Sequence, residues 1–197
     1  SDAIKDGKYW FPNPNRTRLL FGPTARNLRQ GEGYFNDIYV FFPGVAYGLT
    51  DNFTIGGGMS LFPGVDFEDQ LFYLTPKIGV KLQQDLDISA SAIIIRIPDT
   101  DDELDELGED EDSPKTLGVL FGTMTYGTDD KSATFGLGFG YYDNDIADKP
   151  AVLIGGEYRI ARRASLVTEN WVFPEVDEPL ISYGVRVFGE SLAVDLA

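Results

Sequence analysis

Tyr47-Gly48-Leu49-Thr50-Asp51-Asn52-Phe53-Thr54-Ile55-Gly56-Gly57-Gly58-Met59-Ser60-Leu61 reads as a strand end, a tight polar turn and a strand start. Alternation along its second half places Phe53, Ile55, Gly57, Met59 and Leu61 on one face, and Thr54, Gly56, Gly58 and Ser60 on the other. One face is apolar and the other is small and polar. That division suits a wall between lipid and a narrow, crowded interior better than a wall between a packed core and water.

The same unit recurs along the chain. Leu71 to Leu82 and Leu86 to Ile97 flank a turn at 83–85, Lys115 to Gly127 and Lys131 to Tyr142 flank Thr128-Asp129-Asp130, and Ala151 to Ile160 and Ala164 to Val172 flank Arg162-Arg163. A last pair, Pro179 to Phe188 and Ser191 to Ala197, surrounds Gly189-Glu190. Arg16 to Phe21 reads as a first short strand, and Tyr34 to Leu49 as one long strand bent at Pro43-Gly44. Short turns near 51, 84, 129, 162 and 189 alternate with longer loops near 27, 66, 106, 146 and 175. In an up-and-down barrel this puts short turns at one rim and long loops at the other, the asymmetry of transmembrane barrels.

The fold expected is all-β, a single antiparallel up-and-down transmembrane β-barrel. The 11 strand-like segments are an odd number, whereas single-chain bacterial barrels use even numbers, so about twelve strands with the last missing or incomplete is the preferred reading and about ten the alternative. Residues 1–15 form an N-terminal segment rich in aromatics and proline, residues 16–197 the barrel, and residues 98–114 an acidic loop within it.

Composition narrows the chemistry. The 197 residues contain neither Cys nor His, which removes thiolate chemistry, the commonest general base and most zinc sites. No enzymatic activity and no cofactor are expected, with carboxylate-only catalysis at Glu157 or Glu169 left open. The formal charge of −16 argues against a nucleic-acid partner. Ten acidic residues lie between Asp99 and Asp112, leaving −6 for the rest of the chain. Asp99, Asp101, Glu103 and Asp105 offer oxygen ligands at alternate positions but without the glycine of an EF-hand loop, so weak cation binding is the most they would support. No dedicated metal site is expected.

The small-residue face also receives Arg18, Lys77, Lys81, Asp87, Glu157, Arg159, Glu169, Arg186 and Asp195. Arg or Lys facing lipid near the bilayer midplane would cost about 2–4 kcal/mol each, so these belong in a lumen. Lys81 and Asp87 fall nearly opposite each other, and Arg186 and Asp195 are diagonal neighbours across the last turn. They would form either a charged constriction that selects solutes or an ion-pair network filling a closed lumen. In the third hairpin the register leaves open whether Val119 and Phe121 or Leu120 and Met124 face outward.

Trp10-Phe11-Pro12-Asn13-Pro14-Asn15, Gly31-Glu32-Gly33-Tyr34, Tyr47-Gly48-Leu49-Thr50-Asp51-Asn52-Phe53, Leu74-Thr75-Pro76-Lys77 and Glu169-Asn170-Trp171 carry a resemblance. The chain resembles outer-membrane β-barrel proteins of Gram-negative bacteria, in particular uncharacterised small barrels of the Bacteroidetes type. The resemblance implies fold and an outer-membrane location, and it brings no assigned substrate or catalytic residue. The chain departs from it in ending without a terminal aromatic residue. The expected function is a narrow, porin-like pore for small solutes with a charged lumen. The alternative is a non-conducting structural or partner-binding barrel, and a soluble ligand-binding barrel is the third reading. The expected partners are the lipid bilayer and a protein at the long-loop rim.

Overall fold

A computed structural model describes residues 4–5, 7–96, 116–142, 145–174 and 176–197. The strands are β1 (Ile4–Lys5), β2 (Lys8–Tyr9), β3 (Gly33–Ile38), β4 (Phe42–Thr50), β5 (Phe53–Met59), β6 (Phe72–Leu74), β7 (Lys77–Gln83), β8 (Leu86–Arg96) and β9 (Thr116–Gly127), followed by β10 (Lys131–Tyr142), β11 (Asp145–Ile146), β12 (Ala151–Ala161), β13 (Ala164–Val172), β14 (Leu180–Phe188) and β15 (Ala193–Leu196). β1 and β2 form a small ribbon of their own, and the other 13 form one antiparallel sheet. Its order follows the chain from β3 at one edge to β15 at the other. β6 and β7 share one position between β5 and β8. The break between them falls at Thr75-Pro76, where proline has no N–H to give the ladder.

The five short turns stand where the sequence places them. Two expectations for the first third of the chain are corrected. Tyr34 to Leu49 is two strands rather than one, reversed at Tyr39-Val40 with φ of 54° and 69° and closed by the Phe41 amide donating to the Ile38 carbonyl. Two consecutive residues at positive φ make the tight hairpin turn whose twist matches the strands. Pro43 and Gly44 lie inside β4 instead of at the bend. Arg16 to Phe21 is not a strand, and its sole ladder contact is an isolated bridge between Arg18 and Pro23. The two differences cancel, so the sheet still has 11 successive strand positions.

Alternation decides the faces as expected from the opening stretch. Val45, Tyr47, Ile78, Val80, Phe135, Leu137, Ile154, Tyr158, Val185 and Val187 are exposed on the outer face, whereas Ala46, Thr54, Thr134, Ser165 and Arg186 on the other are buried. In the third hairpin Leu120 and Met124 point outward and Phe121 inward, where its ring lies 5.6 Å from that of Trp171. The core inside the curled sheet is small: Leu153 and Val167 from the wall, Leu19 and Leu20 from the N-terminal region, with Trp171 packed against them.

What fills the interior is the chain's own beginning. Asn13, Thr17, Leu19, Leu20, Thr24, Ala25, Arg26 and Leu28 are all buried. The segment goes in beside the short-turn rim, reverses at Phe21-Gly22 and comes back to that rim before β3 begins. On its way out it passes Gly48, where an added Cβ would lie 2.1 Å from the Arg29 carbonyl oxygen. No larger residue fits there without displacing backbone, which explains one glycine of the opening stretch.

Candidate functional site

The inner segment is held mainly through its backbone. Polar groups buried away from water must be paired, and this stretch pairs with itself mainly around its reversal, where the amides of Leu19 and Thr24 donate to the carbonyls of Gly22 and Thr17. Wall side chains supply further partners. Lys77 donates from Nζ to the carbonyls of Thr17, Thr24 and Arg26 at 3.1, 3.3 and 2.6 Å. Thr125 Oγ1 accepts from the Ala25 amide, and Thr54 Oγ1 from the Leu28 amide. At the tip, Glu169 accepts from the amides of Phe21 (2.8 Å) and Gly22 (3.0 Å) and from Trp171 Nε1 (2.7 Å).

Arg186 is the hub of the interior and is fully buried. Nε and Nη2 donate to the two Asp195 oxygens at 2.7 and 2.9 Å, Nη1 to Glu157 Oε2 at 2.8 Å, and Nη2 also to the Leu19 carbonyl at 2.6 Å. A planar fork grips both Asp195 oxygens while also reaching Glu157 and the Leu19 carbonyl, four contacts where an ammonium has three N–H groups. Arg186 and Asp195 are direct register partners, one step from the diagonal expected. Arg18, expected on a wall strand, belongs to the inner segment and lies 3.7 Å from Asp195.

The remaining expected residues lie nearer the short-turn rim. Lys81 is exposed toward the end of β7. Its register partner Asp87 reaches Arg26 of the inner segment instead, at 3.6 Å. Arg26 also donates to the carbonyls of Gly127 and Thr128 in the β9–β10 turn. Arg159 donates to the Phe11 carbonyl and to Asp130, both at 2.8 Å, and its guanidinium lies 4.8 Å from the rings of Trp10 and Phe188. Arg162 and Arg163 lie over Phe11. The N-terminal aromatic cluster is thus clamped to the rim by three arginines. Asp99, Asp101, Glu103 and Asp105, with the acidic loop at 98–114, lie outside the described residues.

Sequence reading placed Thr54 on the inner face but gave it no partner, and it missed Arg26, Thr125 and the role of residues 16–32. The available signal was Lys77 and Glu169, inward charges that the alternation left without assigned partners. Their partners are main-chain carbonyls and amides, which no side-chain pattern displays.

Where the segment leaves the interior, Glu32 Oε2 accepts from Arg16 Nη2 and from the Arg29 amide. Burial pushes the Glu32 carboxyl up, but the Arg29 amide and the Arg16 guanidinium outweigh it and hold the group below the usual carboxylate range. A depressed carboxylate contributes stability above its unfolded pKa and loses it as pH falls through the folded value. Amide exchange at residues 29–32 should therefore quicken below about pH 4, relative to the intrinsic rate. Glu32→Gln should remove that pH dependence, and an unchanged profile would show that the clamp contributes nothing.

The fold and interior define an antiparallel sheet curled around its own N-terminal segment. Comparison with protein-family models, with curated proteins and with solved structures finds no match to the chain.

Proposed function

We propose that this protein is a β-barrel of the outer membrane of a Gram-negative bacterium, kept shut by its own N-terminal segment. It is then a non-conducting structural or partner-binding barrel. The observation carrying this reading is the occupied interior: the space a solute would cross holds residues 13–28, pinned by Lys77, Glu169 and Arg186 from separate strands. A lumen so filled favours the second of the sequence expectations over the narrow pore. The belt of exposed Val, Leu, Ile, Phe and Tyr on the outer face supports hydrocarbon as the surrounding medium, since so wide an apolar surface is not left to water. The same orientation counts against a soluble barrel with those rings in a cavity.

Strand direction supports a barrel that takes one more strand to close. β3 and β15 are the two edges and, being separated by an even number of antiparallel steps, run the same way. They cannot pair antiparallel with each other. One further strand, antiparallel to both, would close the barrel and give the even count of about twelve. A cavity of about 430 Å³ is lined by residues of β3 and the turn after it on one side and by residues 191–195 on the other, where that strand would lie. Partner contact, in this reading, belongs to the long-loop rim.

Planar-bilayer recording tests the proposal. The purified chain should require detergent and, once inserted, should show no discrete conductance steps. The double variant Lys77→Met, Glu169→Gln, which loosens both the stem and the tip of the inner segment, should show intermittent steps. Steady ohmic steps from the unaltered chain would restore the pore, and a monodisperse chain without detergent would remove the membrane.

A further inference from the structure

We infer that the cavity between the inner segment and the β3–β8 side of the sheet is a binding site for a small organic anion, a carboxylate carried on an apolar or aromatic body. The cavity has a volume of about 310 Å³, at the lower end of the range for small-molecule sites. Phe42, Ile93 and the ring of Tyr73 give it apolar walls.

Its charge singles it out. In a chain of net charge −16, the lining contains two basic side chains, Arg18 and Lys77, and no carboxylate. Lys77 has its donors on three carbonyls, which satisfy its hydrogen bonds and leave Arg18 as the cation open to a ligand. Among the described residues Arg18 has one carboxylate in reach, Asp195 at 3.7 Å, and that group is already engaged by both Nε and Nη2 of Arg186.

Polar groups around it are also left over. Among the described residues, seven buried side-chain polar atoms have no hydrogen-bond partner, and three of them, Thr17 Oγ1, Arg18 Nε and Ser91 Oγ, belong to residues lining this cavity. Thr17 is only 4% exposed. Such atoms are rare because leaving them unpaired is costly. A carboxylate at the Arg18 guanidinium would supply the missing negative charge.

The test uses the full chain in detergent and three probes of one shape: 3-phenylpropionate, its uncharged amide and 3-phenylpropylamine, followed by titration calorimetry. The carboxylate should bind saturably, at least tenfold more tightly than the amide, and the amine should not bind. Arg18→Gln should cost the carboxylate tenfold or more and bring it level with the amide. Ser91→Leu, which puts a larger side chain into the cavity from a wall strand, should abolish binding of both. Should Arg18→Gln fail to fold, Ser91→Leu alone decides. Equal affinity for all three probes, no saturable binding by the folded wild-type chain, or full binding by folded Ser91→Leu would each overturn the inference. Binding is read without a membrane, so this result and the conductance result can fail separately.

Discussion

Replacing Arg186 by Met should be the most damaging single substitution in the interior, costing about 3–5 kcal/mol, the range for removing one partner of a buried charge network. The guanidinium is fully buried and the carboxylates that it holds are nearly so: the Glu157 side chain is 5% exposed and that of Asp195 15%. Without Arg186 both carboxylates remain in a low-dielectric interior, with Arg18 alone within reach of Asp195. The Leu19 carbonyl also loses its donor. Urea unfolding of the reconstituted protein should show the midpoint falling with little change in slope.

Two companions separate charge pairing from packing. Arg186→Lys should recover part of the loss, since an ammonium is a point donor and cannot span Asp195, Glu157 and Leu19 together. The triple variant Arg186→Met, Glu157→Gln, Asp195→Asn should be more stable than Arg186→Met alone, because neutral amides have no charge to strand. If the single and triple variants unfold at the same urea concentration, the charge network is incidental and volume alone matters.

The fold was legible wherever side chains declare the face on which they sit. β10 alternates Phe135, Leu137 and Phe139 with Gly136, Gly138 and Gly140, and its direction could be taken from that pattern alone. Arg186 and Asp195 were recoverable for a related reason: a short turn fixes which residues across it can meet. The hairpin at Tyr39-Val40 was not, because neither residue type favours positive φ and the Pro43-Gly44 pair shortly after it offers a stronger turn signal. The inner segment was illegible for a deeper reason. Its Arg, Asn, Thr and Pro residues look like an exposed loop, and wall side chains meet carbonyls and amides that the segment's own turn bonds do not pair.

Glu169→Gln tests that dependence at its sharpest point. Both carboxylate oxygens are occupied: Oε1 accepts from the Gly22 amide and Trp171 Nε1, and Oε2 from the Phe21 and Gly22 amides. Whichever way a glutamine is turned, its NH₂ faces N–H groups, so at least one buried donor loses its acceptor. Each such loss costs about 1–3 kcal/mol. The damage should be local, because Lys77 and Arg26 still hold the stem of the segment through groups that Glu169 does not touch. Amide exchange at Phe21 and Gly22 should accelerate about 10- to 100-fold, the equivalent of that cost, while exchange at Ala25 and Leu28 stays slow. Trp171 should report which way the amide turns: its fluorescence shifts when the NH₂ takes the Oε1 place, since its indole N–H then loses the Glu169 acceptor while its ring keeps Phe121 and Phe173. Uniform acceleration from Phe21 through Leu28 would mean that the segment leaves as one piece, and no acceleration would mean that the tip is held by packing against Leu153 and Val167 rather than by this carboxylate.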